Sequence, residues 1–243
     1  MKHGIGKTDT GKTRTRSEDS IFVENKAVNP LKNLYILADG MGGHNAGDVA
    51  SKSAVKFLCE YLQNNTSHIY IQDLLADALR YANEKVHLKS NEDSELRGMG
   101  TTLIVCCYDE NNFYFAHVGD SRLYVMKDNS EIEQITRDHS LVNEMVVRGM
   151  ITKEEARNHP QRNVVTRAVG TDYAVAIDKG YRPLENIRNI LICSDGLTDM
   201  VTDEEIADIM NSGADADNIL NDLINAANEN GGLDNISVIL IEK

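Results

Sequence analysis

Short, densely apolar runs alternate along this chain with longer stretches of helical periodicity. Runs rich in β-branched and aromatic residues predict strands at about 20–24, 34–38, 102–108, 112–118, 121–126, 174–178, 189–193 and 236–241. Over 46–63, Val49, Ala50, Ala54, Phe57, Leu58, Tyr61 and Leu62 recur every three or four residues, which predicts an amphipathic helix. A second such segment, 70–90, repeats the pattern through Leu74, Leu75, Ala78, Leu79, Ala82 and Val86. Thr202-Asp203-Glu204-Glu205 has the form of a capping box ahead of Ile206, Ile209 and Met210, and a further helix is expected over about 214–229. Strands come in adjacent groups rather than alternating singly with helices. That order favours an α+β arrangement, antiparallel sheets with helices packed outside them, over a doubly wound parallel sheet.

Length and composition narrow this picture. With 243 residues, 41% apolar and 26% charged, the chain has the make-up of an ordinary soluble protein near the upper size of one hydrophobic core. Three prolines, no Ser/Gly-rich linker and no fixed-period repeat leave no obvious boundary, so 1–243 reads as one domain. No apolar run approaches the roughly 18 residues that would suit a membrane span. The start, Met1 to Lys7, has basic residues without an apolar stretch after them, so a cytoplasmic address is expected. Cys59, Cys106, Cys107 and Cys193 show no Cys-x-x-Cys spacing, and three of them fall in apolar stretches, as buried free thiols do. The formal charge of −13 opposes sequence-independent nucleic-acid binding. It also means that an acid-lined site for an anionic substrate would need cations between the two.

Aspartates supply such a site. The run Leu34 to Ala38 stops at Asp39-Gly40, and Ile190 to Ser194 stops at Asp195-Gly196. Phe115 to Gly119 leads into Asp120, and Asp234-Asn235 immediately precedes Ile236 to Leu240. Singly, each reads as a turn, because Asp-Gly and Asp-Asn are common turn pairs. Together, four carboxylates at strand ends on one side of a sheet would repel one another unless divalent cations compensate them. Oxygen donors without histidine or thiolate select Mg²⁺ or Mn²⁺ over zinc, and a glycine after aspartate lets a backbone carbonyl approach the ion. Two such ions about 4 Å apart can activate a water for attack on phosphorus. An arginine would complete the site by gripping phosphate oxygens; Arg14 and Arg122 lie nearest the acidic motifs, and Arg122 reads better as a salt-bridge partner.

A competing enzyme class is written into the N-terminus. Gly6 to Thr13 satisfies the Gly-x-x-x-x-Gly-Lys-Ser/Thr pattern of a nucleotide-binding P-loop, but only Met1 to Ile5 precede it. The residues after it, Arg14 to Asp19, lack the apolar face of the helix a P-loop requires.

The acidic motifs, taken in order, resemble those of the PP2C family of metal-dependent protein serine/threonine phosphatases, in its bacterial form. The matching stretches are Gly11 to Ser20, Ala38 to His44, Gly98 to Thr102, His117 to Arg122, Thr136 to Ser140, Ser194 to Leu197 and Asp234 to Val238. The resemblance covers essentially the whole chain and implies a β-sandwich of two antiparallel sheets flanked by helices on both sides, with two or three Mn²⁺ or Mg²⁺ ions in a cleft at one end. By position, Asp39 would bridge two ions, Asp195 and Asp234 would hold the first, and the Gly40 carbonyl would bind the second, with Glu18 and Asp19 nearby. Asp120, with Asp195, would serve a third. Arg14 would bind the substrate phosphate. The segment at about 141–166 resembles the family's flap, and its Met145, Val146, Val147, Met150 and Ile151 are expected to pack on the body. Phosphorylated proteins would be the substrates and a cognate serine/threonine kinase the opposing partner; a catalytically inactive PP2C-fold binding module is the alternative. Two departures stand out. Ser17 replaces an asparagine common in the opening motif, and Met41 stands where animal relatives carry a histidine proposed as general acid. A thioether cannot donate a proton, so metal-activated water or, as an accessory, His44 would take that task.

Overall fold

The structure, a computed structural model, describes residues 3–43, 46–65 and 70–242. In chain order come strands β1 (Gly4–Asp9), β2 (Asp19–Glu24) and β3 (Leu34–Met41), then helices α1 (Ala46–Asn64) and α2 (Ile71–Glu92). Strands β4 (Gly100–Thr101), β5 (Leu103–Tyr108), β6 (Asn112–Val118), β7 (Arg122–Lys127) and β8 (Ile132–Gln134) follow, and after them the short helices α3 (Leu141–Val147) and α4 (Lys153–Arg157). The chain ends with β9 (Asp178–Pro183), β10 (Ile187–Cys193), α5 (Asp195–Thr198), α6 (Asp203–Met210), α7 (Ala216–Glu229) and β11 (Ile236–Glu242).

One sheet has the order β1-β11-β10-β7-β8; the other runs β2-β3-β5-β6-β9, with β4 pairing β3, and every pairing is antiparallel. The two-residue period of the strands divides their apolar side chains between two surfaces. Along β3, Tyr35 and Leu37 meet Leu123, Val125, Ile190, Ile192, Ile239 and Ile241 between the sheets. Leu34, Ile36 and Ala38 of the same strand turn outward and pack with Leu58, Leu75, Leu79 and Val86 of α1 and α2. On the far side, Leu191, Val238 and Leu240 pack against Leu197, Ile206, Leu220 and Leu223 of α5 to α7. Central strands are therefore covered on both faces, which is why they read as continuous apolar runs. Cys106, Cys107 and Cys193 are buried free thiols and Cys59 is half-buried, as expected.

The sequence missed β1, β8 and the two-residue β4, and placed a strand at 174–178 that the structure puts at Asp178–Pro183. β1, β8 and β9 are edge strands, whose polar, Gly- or Pro-containing sequences follow no clean alternation. The capping box at Thr202 forms as expected, with Thr202 Oγ1 accepting from the Glu205 amide and Glu205 returning to the Thr202 amide. Within the flap segment, Val142 is buried while Val147 and Met150 stand well exposed, so its apolar residues only partly pack on the body. Among the described residues no helix is long and apolar enough to cross a membrane.

Candidate metal centre

Antiparallel pairing gathers the motif aspartates at one edge of the sandwich. Asp19 opens β2 opposite Asp39, its cross-strand partner near the end of β3. Cys193, at the end of β10, faces both Arg122 at the start of β7 and Val238 near the start of β11, so Asp195, Asp120 and Asp234 flank neighbouring strand ends. The backbone of Asp39 is fixed by Thr102 and Thr101. Its N–H donates to Thr102 Oγ1 (3.0 Å), and its carbonyl accepts from the Thr102 N–H and Thr101 Oγ1, both 2.8 Å. The following Gly40 donates its N–H to the Glu18 carbonyl at 3.2 Å, which draws the Glu18-Asp19 corner onto the same edge.

Burial and mutual repulsion dominate the electrostatics of these carboxylates. Burial pushes the Asp39 carboxyl well above the usual carboxylate range, and Asp19, Asp195 and Asp120 repel it further. Asp39 and Asp195 share a hydrogen bond that favours the proton on Asp39. Asp19 is pushed up to about 7, first by burial and then by Asp195 and Asp234, against hydrogen bonds from Ser237 and Ser194. Asp195 rises to about 6 through burial, Asp199 and Asp234. Asp120 lies well above its ordinary value from burial, Asp195 and Asp138, and burial raises Glu18 as well. Asp19 Oδ1 and Asp195 Oδ1 are buried with no hydrogen-bond partner. Orphaned carboxylate oxygens in an all-oxygen donor set fit a hard divalent cation of the Mg²⁺ or Mn²⁺ type.

Arg14, half exposed, reaches Asp234 Oδ2 with Nη2 at 2.8 Å, at the edge of this set. Arg122 is committed elsewhere. Its Nε and Nη2 grip the Asp138 carboxylate at 2.8–3.1 Å, and Nη1 donates to Tyr124 Oη at 2.8 Å. His44 lies outside the described residues. Sequence reasoning missed Asp199, one helical turn beyond Asp195. It is raised mainly by burial and lines, with Asp120, Asp195, Asp138, Asn143 and Arg162, a cleft of about 590 Å³ beside the flap. Its four-residue spacing from Asp195 was the available signal. Asp19, Asp39, Asp234 and Arg14 do not line that cleft.

A second cluster merits comparison. Among the described residues, one group of three potential ligands has its ligand atoms all within 4.8 Å, namely His117, His139 and Asp178. Both ring nitrogens of His139 are occupied: Nδ1 accepts from the Gly119 N–H at 3.1 Å, and Nε2 lies 3.2 Å from Arg167 Nη1 and 3.4 Å from Asp178 Oδ2. An ion at Nε2 would have to sit against the Arg167 guanidinium. The Arg167 guanidinium already provides a cation here, with Nη1 3.0 Å from Asp178 Oδ1. This cluster is held together without an ion.

The profile of the protein phosphatase 2C family matches residues 11–240. The chain belongs to that family. It is 39% identical, over an aligned length of 245, to the serine/threonine phosphatase stp of Listeria welshimeri, an alignment covering 99% of this chain and 96% of the relative. The crystal structure of the serine/threonine phosphatase Stp1 from Staphylococcus aureus superposes with a TM-score of 0.92 at 36% identity, covering 100% of this chain and 95% of that one. The catalytic domain of the protein phosphatase PstP, solved with two manganese ions, gives a TM-score of 0.82 at 31% identity over 98% of this chain and 96% of its own. These matches bear out the PP2C assignment and the two-sheet α+β sandwich. The P-loop reading fails on structure. Gly6 to Thr13 lies in β1 and a turn, no helix follows, and the Lys12 and Thr13 amides both donate to the Gly232 carbonyl instead of a phosphate.

Proposed function

We propose that this PP2C-type serine/threonine phosphatase holds its divalent ions on Asp39, Asp195, Asp234 and the Gly40 carbonyl, with Asp19 and Glu18 alongside. The single observation that carries this assignment is the pair of buried, unpartnered oxygens, Asp19 Oδ1 and Asp195 Oδ1, inside a set of mutually repelling carboxylates. When bound, two ions supply Lewis acidity at the phosphoryl oxygens and lower the pKa of the attacking water. The protein residues do the rest. Asp39 stands between the other carboxylates, held rigid through Thr101 and Thr102. Arg14 grips the phosphate oxygens with a guanidinium that is half exposed and so open to substrate. Asp120, Asp195 and Asp199 form an adjoining acidic group suited to a third ion. Met41 has no proton to offer a leaving group.

In this reading 1–243 acts as one phosphatase unit, and the flap at 141–166 borders substrate access through the cleft it shares with Asp120 and Asp199. The substrates are phosphoproteins, and the biological counterpart is a serine/threonine kinase in the cytoplasm. Mn²⁺ and Mg²⁺ both suit the donor set. The test is hydrolysis of p-nitrophenyl phosphate and a phosphothreonine peptide by purified protein, with and without Mn²⁺. Ion-dependent turnover that disappears in Asp39→Asn is expected; turnover by Asp39→Asn at the parent rate would remove Asp39 from the site.

A further inference from the structure

Arg14 sits on a loop, residues 10–18, with no helix or strand of its own to hold it. A guanidinium that must meet a phosphate with a geometry good to a fraction of an ångström needs its backbone fixed. The buried side chain of Asn235 does this. Its Oδ1 accepts from the Glu18 N–H at 2.8 Å, while its Nδ2 donates to the Thr10 carbonyl at 3.1 Å and the Arg16 carbonyl at 3.0 Å. One amide thus ties the loop at Thr10 on one side of Arg14 and at Arg16 and Glu18 on the other. Only this orientation places the oxygen against an N–H and the nitrogen against two carbonyls, so the chemistry itself fixes the side chain.

The backbone under Asn235 is equally constrained. Its N–H donates to Asp234 Oδ1 at 2.8 Å, and its neighbours leave no room for it to move. A Cβ on Gly196 would lie 1.9 Å from the Asn235 carbonyl oxygen, and one on Gly11, which has φ +73°, would lie 2.2 Å from the Asp234 carbonyl oxygen. The Asp234-Asn235 backbone is therefore wedged between the arginine loop and the start of α5, where Asp195 stands. The Lys12 and Thr13 amides and Thr13 Oγ1 add bonds to Gly232 on the same turn.

We propose that Asn235 is a positioning residue for the reaction, setting the phosphate-gripping Arg14 at a fixed place relative to Asp234, Asp195 and Glu18. This rests on the reading of Arg14 as the phosphate ligand. Asn235 touches no substrate; it acts through the loop.

The experiment is inhibition of p-nitrophenyl phosphate hydrolysis by inorganic phosphate, measured on Mn²⁺-loaded wild type, Arg14→Ala, Asn235→Ala and the double variant. Each single variant is expected to raise the inhibition constant about tenfold, and the double variant to match Arg14→Ala within about twofold, because both changes remove one interaction. An unchanged constant in Arg14→Ala would overturn the reading beneath. An unchanged constant in Asn235→Ala, with a raised one in Arg14→Ala, overturns the positioning role alone, as do effects that multiply in the double variant. Should Asn235→Ala fail to fold, Asn235→Ser, which cannot span Glu18 and the two carbonyls at once, carries the same expectations. A readout independent of turnover is amide exchange in the metal-free protein. Glu18 N–H is expected to exchange faster in the variant while Val238 N–H, inside β11, keeps its wild-type rate. Unchanged exchange at Glu18 would also sink the proposal.

Discussion

Two buried polar clusters sit at the same end of the sandwich, three residues apart at Asp120 and His117, and they meet their charges in opposite ways. The histidine cluster is nearly closed on itself. Gly119 N–H, the Arg137 carbonyl and the Asp178 carboxylate take up three ring nitrogens, Arg167 neutralises Asp178, and one orphan, His117 Nδ1, remains. The aspartate cluster has cations only at its edges among the described residues, Arg14 on Asp234 and Arg162 on Asp199, against Asp19, Asp39, Asp120 and Asp195, all pushed up by burial and by one another. Proximity of ligand atoms alone would choose the histidines as the metal site. Compensating charge favours the aspartates, as proposed above, because an ion would relieve repulsion there and would meet the Arg167 guanidinium in the other.

The largest expected difference lies in turnover. Asp39→Asn or chelation of divalent ions should lower kcat by at least about 10³-fold, since Lewis-acid stabilisation is worth several kcal/mol. His139→Asn should leave kcat within about tenfold, its role being to brace the Gly119 turn. Steady-state rates with Mn²⁺ check both, and equal losses would erase the distinction. Next comes stability. Ions at about 100 times their dissociation constant should stabilise wild type and His139→Asn by about 2.7 kcal/mol per site, and Asp39→Asn by much less. Thermal unfolding with and without Mn²⁺ measures this.

How far this contrast could be read from the sequence depends on the kind of residue. Asp39, Asp120, Asp195 and Asp234 were visible because each interrupts an apolar run, and the sheet order then brings those interruptions to one edge. Glu18 and Asp19 sit in polar sequence, so only family resemblance singled them out, and the Gly40 carbonyl showed in the sequence only as a glycine following an aspartate. Asp199 showed only as a carboxylate four residues from Asp195, and neither the tie of Asn235 to the arginine loop nor the grouping of His117, His139 and Asp178 was legible. Asp178 lies 39 residues from His139 and Thr10 lies 225 from Asn235, and local pattern carries no information about such pairings. The fold shows the same division: strands covered on both faces announced themselves, and the polar edges β1, β8 and β9 did not.

The pH dependence of the metal-free protein separates the clusters by sign. Asp195 and Asp19 titrate in the folded state at about 6 and about 7, above their ordinary value of 3.8, so the folded state binds more protons than the unfolded chain. Their stabilising contribution is complete below about 4 and is lost as pH rises through 7. His139 is depressed to about 4 from 6.5 by burial, His117 and Arg167, so its contribution is complete above 6.5 and is lost as pH falls toward 4. The two trends oppose each other between 4 and 6.5, and above 6.5 only the aspartate trend remains. Denaturant unfolding of chelated protein should therefore lose stability between pH 6.5 and 8, and saturating Mn²⁺ should flatten that slope. A chelated protein that gains stability over this interval would contradict the charge assignment.

The smallest expected effect comes from a hydroxyl that serves the aspartates indirectly. Ser194 Oγ donates to Asp19 Oδ2 at 3.0 Å and accepts from the Ser237 N–H at 2.9 Å. Ser194→Ala removes a donor that favours ionised Asp19 and leaves a buried amide unpaired, at a cost of about 1–3 kcal/mol. Removing that donor raises the Asp19 pKa further, so in the chelated protein the loss of stability with pH should shift to higher pH. Bound ions take over the charge of Asp19, so with saturating Mn²⁺ kcat should fall less than about tenfold. A loss as large as that of Asp39→Asn would mean that the hydrogen bond, rather than the ion, keeps Asp19 ionised, and the aspartates would then resemble the histidines in being self-sufficient.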